Sequence, residues 1–478
     1  MSIRILRSLP PALALLLVAG ATSELRASGF QLREQSPASQ GNAFAGVTAK
    51  GFDISAMFFN PATMAQFKDS QVVVGFSYVA PKAEMSGLSA SRANYAGPLA
   101  ALAPFGGTAI NGPSAHPDAA QDAALPNIYA MWALDETVKL GLSVNAPFGL
   151  VTDYNSDFAG RYHALKSDLK TVDVALNLSY QFHPKWALGV SLIHRSVEAE
   201  LSNAVDFGQI AFLGLATTGN MAAAMNFRPT GTAAPFDGKA TVKGTASLPA
   251  YKLGLTYQPL SNLTFGVAYQ GASTPHVKGT VHYDYPTISA APLNAAFQAV
   301  IANGKIVNAP VDARVTLPDT ASLGISWDVT PTFNLGFEAA RTGWSAFKEL
   351  RIKFSSGQSD SVTQEKWHNT MYYALGASWK ATNAWTVRFG VATDEGAVDD
   401  AHRTPRIPDA DRTWFSAGAS YAFSRALSLD FAYTHILVKD STIALTAPMG
   451  SPDFLRGNLN ASINSSIDIA ALSLRYSF

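Results

Sequence analysis

The chain has 478 residues, 35 basic and 35 acidic side chains, no cysteine, 47% hydrophobic residues and 15% charged ones. Zero formal charge leaves no basic face for nucleic acid, and low charge beside 27 Phe, 16 Tyr and 8 Trp excludes a disordered chain. The missing cysteine excludes a disulfide framework, a thiolate metal site and a thiol nucleophile.

Arg4 and Arg7 precede an apolar stretch, Leu13 to Val18, and small residues follow, which is the pattern of a secretory signal peptide. Pro10 to Ala21 is shorter than the roughly 20 residues a helical span needs. Cleavage fits after Ala21 or after Ala27. No later segment reaches about 18 consecutive apolar residues, so an exported membrane protein of this sequence must cross as a closed β-barrel. Residues 28–69 follow, with small residues throughout and aromatics Phe30, Phe44, Phe52, Phe58 and Phe59. That composition predicts a compact plug in the barrel lumen.

From there the period of the chain is two. Val172, Val174, Leu176, Leu178, Tyr180 and Phe182 alternate with Thr171, Asp173, Ala175, Asn177, Ser179 and Gln181. The same alternation recurs at Trp385 to Val391, Leu427 to Tyr433 and Leu472 to Tyr476. Apolar faces end in aromatics, and segments reach the roughly 10 residues that a tilted crossing requires. Strands are predicted to start near residues 70, 126, 138, 168, 185, 243, 261, 312, 332, 367, 384, 412, 426 and 464. The class is therefore all-β, a 14-stranded antiparallel transmembrane β-barrel over residues 70–478, with a hatch at 28–69 and a leader at 1–27. Short turns such as His183-Pro184-Lys185 alternate with long connections, among them 151–167, 199–242 and 274–311. Two of these carry apolar helical content, at Val205 to Met225 and Leu293 to Ile301, which either pack on each other or offer an apolar landing site.

Three blocks carry a resemblance. Ser28 to Gln66, with Gly29-Phe30-Gln31-Leu32 at its start and Asn60-Pro61-Ala62 near its end, resembles the N-terminal hatch of FadL-type long-chain fatty acid and hydrocarbon transporters. Ala146 to Thr171 is similar to that family's third strand and following loop, and Thr404 to Tyr421 to its entry into a late strand. The resemblance favours cleavage after Ala27. It implies an outer-membrane location, a hydrophobic ligand taken at external loops, and lateral release into the outer leaflet through a kinked third strand. The kink would fall at Pro147-Phe148-Gly149, with Asn60-Pro61-Ala62 beside it. Proline lacks a ladder donor and glycine weakens a strand, so both residues suit such a gap.

Burying an alkyl chain is worth about 0.8 kcal/mol per methylene, against roughly 0 to 1 kcal/mol for an exposed ion pair. A greasy wall then supplies affinity and a cation sets orientation. Phe30, Phe44 and Phe58 are the expected wall residues, and Arg161, Arg388 and Arg412 the expected head-group partners. No cofactor and no catalytic residue is expected, and a closed barrel is expected to act as a monomer in contact with outer-membrane lipid. Hydrocarbon uptake is the alternative substrate reading. A lipid-modifying barrel enzyme is the alternative of another class, for which His163, Ser167 and Asp168 would have to assemble; His276 and His282 are the remaining metal candidates.

Overall fold

The computed structural model describes residues 29–229 and 235–478; the leader and its cleavage point lie outside the described residues. The described residues form 14 antiparallel strands closed into a barrel. β1 is Gln71–Ser91, β2 Ala123–Ala133, and β3 Val138–Asn145 resuming at Gly149–Asp153. β4 is Lys166–His183, β5 Trp186–Asp206, β6 Asp237–Leu260, and β7 Leu263–Gln270 resuming at His276–Asp284. β8 is Ala309–Arg314 with Thr320–Thr330, β9 Phe333–Thr342 with Glu349–Phe354, and β10 Ser361–Gln364 with Thr370–Lys380. β11 is Trp385–Asp394, β12 Arg412–Ala422, β13 Leu427–Val438 with Ser441–Leu445, and β14 Asn458–Ser477. β1 closes the barrel on β14, from Gln71 opposite Ser477 to Ser91 opposite Asn458.

Parity sorts the faces as alternation requires. Val172 through Phe182 at every second position are exposed on the outside, while Thr171, Asp173, Asn177 and Ser179 are buried within. One end has tight turns and the other long connections. Several strands outrun their predicted ends: β5 and β6 stay paired up to Asp206 opposite Asp237, so the connection foreseen at 199–242 is shorter. The extension is stabilised from inside, where Leu201, Val205, Ala240 and Val242 pack against the helices Phe207–Thr217 and Ala291–Gly304. Those helices pack on each other, with the Phe207 ring 5.8 Å from Phe297, and Phe227 from the following 3-10 turn lies 6.2 Å from the same ring.

Residues 29–67 fill the lumen. The fit depends on inward-facing glycines on successive strands: Gly189, Gly254, Gly266, Gly324, Gly336, Gly376, Gly390 and Gly418. A Cβ on Gly324 would stand 2.6 Å from Ala49 N, and one on Gly418 would stand 2.7 Å from Gly41 Cα. On Gly254 and Gly189 it would overlap Asn60 and Ala62. Absent side chains thus let hatch backbone lie directly on wall backbone. Overpacking such a contact costs about 1 to 3 kcal/mol, so Gly254→Ala is expected to lower the unfolding free energy by that amount. Urea titration of detergent-solubilised protein checks this.

Candidate functional site: a window in the barrel wall

β2 and β3 pair only from Ile128 opposite Val144 to Ala133 opposite Lys139. Above that, Ala123 to Asn127 pair with β1 alone, and the upper part of β3 pairs with β4 alone. A bridge between Ala120 and Thr152 closes the top. The result is a window in the wall, with Pro126 lining it on one strand and Pro147 within the break of the other, two residues with no N–H to leave unpaired.

The displaced segment turns inward and finds its backbone partners on the hatch. Leu32 N donates to Pro147 O at 2.8 Å, and Gly149 N to Phe30 O at 3.1 Å. Gln35 Nε2 donates to Ala146 O at 2.8 Å, and Ala146 N to Gln35 Oε1 at 3.1 Å. Phe148 N donates to Thr171 Oγ1 at 2.9 Å. The sequence-predicted kink at Pro147-Phe148-Gly149 therefore coincides with the strand break. Its hatch neighbour is Phe30 to Gln35. Asn60-Pro61-Ala62, placed beside the kink by the resemblance, instead lies against β5 and β6. There Asn60 caps a short 3-10 helix by accepting from Ala62 N at 3.0 Å, while its Nδ2 donates to Thr48 O and Leu255 O. The glycines Gly189 and Gly254 draw the motif to that side.

Behind the window is a cavity of about 380 Å³, reaching from the lumen to the membrane face at Val172. Its wall is mainly apolar: Phe30, Leu32, Leu125, Phe148, Val438 and Ile467. Phe30 is held in an aromatic box, with ring centroids 4.7 Å from Trp344, 5.7 Å from Trp367 and 6.1 Å from both Phe148 and Phe347. Arg412 also lines the cavity. It donates to Asp409 Oδ1 at 3.0 Å and Gly29 O at 3.2 Å, and its buried Nε has no partner.

The other sequence candidates sit elsewhere. Phe44 packs between Phe59 and Trp414 in the cluster that backs the cavity without lining it, and the Phe58 ring lies 4.3 Å from Lys252 Nζ. Arg161 is in the external loops, paired with Asp237 at 2.8 Å. Arg388 faces the lumen as parity predicts but is covered by the hatch, over the Phe52 ring and 3.8 Å from Asp430. Sequence reasoning missed Arg406. It borders a second cavity, of about 400 Å³, among the external loops, with Ile210, Val242, Ile306, Leu350 and Phe354. Its guanidinium donates only to neutral acceptors: Lys166 O, Ser167 Oγ, Ser202 O and Asn203 Oδ1. Burial, with Arg456 nearby, pushes it down to about 10. The signal was present in Thr404 to Tyr421, where Arg406 stands beside two prolines.

The three residues of the enzyme reading do not meet. Asp168 lies on the outer surface with Lys170 at 3.0 Å, Ser167 binds Arg406, and His163 Nε2 donates to Gly457 O at 2.9 Å. His282 contacts Asn308 and Asp284, and among the described residues no group of three or more His, Asp or Glu is placed to hold a metal.

A family model described as outer membrane protein transport protein (OMPP1/FadL/TodX) matches residues 17–478. The chain is 25% identical over 427 residues to the long-chain fatty acid transport protein of Escherichia coli O6:H1, covering 88% of this chain and 89% of that one. In fold it is similar to the crystal structure of a Pseudomonas aeruginosa FadL homologue, with a TM-score of 0.80 at 24% identity, covering 94% of this chain and all of that one. The Pseudomonas putida toluene transporter TodX aligns with a TM-score of 0.63 at 14% identity, covering 95% and 99%.

Burial holds the His163 imidazole at about 4, below its ordinary 6.5. The unfolded chain therefore takes up the proton first, and stability falls as pH drops from about 6.5 to about 4, by up to about 3 kcal/mol. Amide exchange of residues 154–165 should lose protection over that window. His163→Gln, which keeps a donor for Gly457, should flatten the profile.

Proposed function

The chain belongs to the OMPP1/FadL/TodX family of outer-membrane transport proteins, and from that premise we propose that it carries long-chain carboxylic acids from the exterior into the outer leaflet through the window between β2 and β3. It is an outer-membrane β-barrel and a transporter of hydrophobic compounds. The acid and the lateral path are our reading. The observation that carries the path is the continuity of one apolar cavity from the lumen to lipid-facing Val172, beside a hatch packed on the wall from β5 to β12. A ligand that has shed water into this cavity meets hydrocarbon on leaving it, so its tail is never rehydrated.

The choice of an acid rests on buried guanidinium. Among the described residues Arg406 in the outer cavity hydrogen-bonds to no carboxylate, the buried Glu365 acting on it only through space, and Arg412 in the inner cavity retains a free Nε. A buried guanidinium whose charge is only partly compensated is costly, and a ligand carboxylate would relieve that cost. The outer cavity would capture and the inner one pass on. Such a process needs no cofactor and no energy source, since the ligand moves down its own gradient.

Ala146→Trp, filling the window while leaving the Gln35 backbone bonds possible, is expected to reduce uptake of a long-chain fatty acid at least tenfold with the barrel still folded in the membrane. Undiminished uptake would remove the lateral path. Arg406→Gln should raise the half-saturating concentration of a fatty acid about tenfold and leave toluene uptake alone; an equal effect on toluene would shift the reading to hydrocarbons.

A further inference from the structure

The cavity behind the window carries charge at both ends. Of its lining residues, Lys82, Lys170, Asp409 and Arg412 are charged. Asp409 is engaged by Gly29 N and Ala397 N, each at 2.9 Å, and by Arg412. Three cations remain, one on the lumen side and two on the outside. Lys82 projects outward from β1 just above the top of β2, beyond the last paired residues Val79 and Ala123. Lys170 projects outward from β4 opposite Gly149, which has no side chain to screen it from the opening. The two strands carrying these lysines flank the two strands that carry the window.

Each lysine has a carboxylate neighbour on its own strand: Lys82 Nζ lies 2.6 Å from Glu84 and Lys170 Nζ 3.0 Å from Asp168. Both side chains are more than half exposed, at 59% and 63%. Exposed pairs of this kind contribute little, so another carboxylate can replace the internal one at small cost. Lys170 also marks a boundary, since the next outward residue along β4, Val172, begins the lipid-facing series. Its ammonium therefore stands where hydrocarbon gives way to head groups, and charge belongs on the head-group side.

We propose that Lys82 and Lys170 form a cationic lip on the membrane side of the window, which receives the ligand carboxylate released by Arg412 while the tail slides into lipid. The proposal rests on the acid-transport reading above and adds the residues that set exit. An amphiphile leaving sideways has two problems, and the apolar wall solves only one. Its tail moves from grease to grease, but its carboxylate must pass an apolar opening, where an uncompensated charge is disfavoured. Cations at both ends shorten the stretch over which that charge is unpaired. An uncharged hydrocarbon has no use for the lip, so Lys82 and Lys170 are specificity-determining residues of the exit step.

The test compares oleate with 1-octadecene, of equal length and no charge, in transfer to the membrane by reconstituted full-length barrel. K82Q/K170Q is expected to slow oleate transfer at least tenfold, to leave octadecene within twofold, and to leave equilibrium oleate binding unchanged. K82R/K170R should restore the oleate rate. Unchanged oleate transfer overturns the proposal, and so does an equal slowing of both compounds, which would mark a structural role. Ala146→Trp serves as the control on the underlying reading. If that variant passes oleate normally, the lateral path itself fails; if it blocks both compounds while K82Q/K170Q is unaltered, only the lip fails.

Discussion

A barrel wall opened within a membrane exposes peptide groups that lipid cannot satisfy, and the arrangement of this protein follows from where those groups find partners. At Ala146, Pro147 and Gly149 the partners are on the hatch, where Phe30, Leu32 and Gln35 take over the ladder that β2 no longer offers, while Phe148 stays bonded to Thr171 of β4. Window and hatch are thus one structure. The strand can turn inward because the plug is there to receive it, and the plug is pinned at its N-terminal end because the strand turns inward.

The rest of the hatch must be held closely enough to keep that end in register. Glycines facing inward on consecutive strands from β5 to β12 provide this, by letting two backbones meet without intervening side chains. Polar contacts complete the seat: Thr48 donates from its backbone to Glu338 at 3.2 Å, and Tyr372 donates to Ala43 O at 2.7 Å. Ala43 and Phe44 adopt positive φ values of 53° and 58°, an unfavourable conformation for residues with a Cβ. Buried contacts of Phe44 with Phe59 and Trp414 hold it there. A hatch seated over most of the circumference leaves an apolar opening beside it, the cavity behind β2 and β3, and a polar one at its other end, between residues 65–68 and the wall.

Outside the membrane the same economy of apolar surface shapes the crown. The helices predicted at Val205 to Met225 and Leu293 to Ile301 form and bury their aromatic residues on each other and on the inner face of the strand extensions. Part of that apolar surface remains in the wall of the outer cavity, beside the charged residues Asp206, Asp360, Arg406 and Arg456. The molecule thus holds two cavities, a mixed one among the external loops and an apolar one behind the window, each with a guanidinium in its wall.

Much of this was legible in the residues themselves. Period-two alternation is a local property of the extended backbone, so Val172 to Phe182 declared their lipid face and Arg388 and Arg412 their lumenal one before any contact was known. The strand number followed from counting such segments, and the break at Pro147-Phe148-Gly149 from chemistry that a ladder cannot accommodate. Tertiary structure alone decided what meets inside the lumen. Parity points Arg388 and Arg412 the same way, yet the hatch covers one and leaves the other beside the cavity, because its path is set by glycines on strands hundreds of residues away. For the same reason Asn60-Pro61-Ala62 went to β5 and β6 and Phe30 to the window. Facing is determined by neighbours along the chain; position in the lumen is determined by which distant surfaces have room for a backbone.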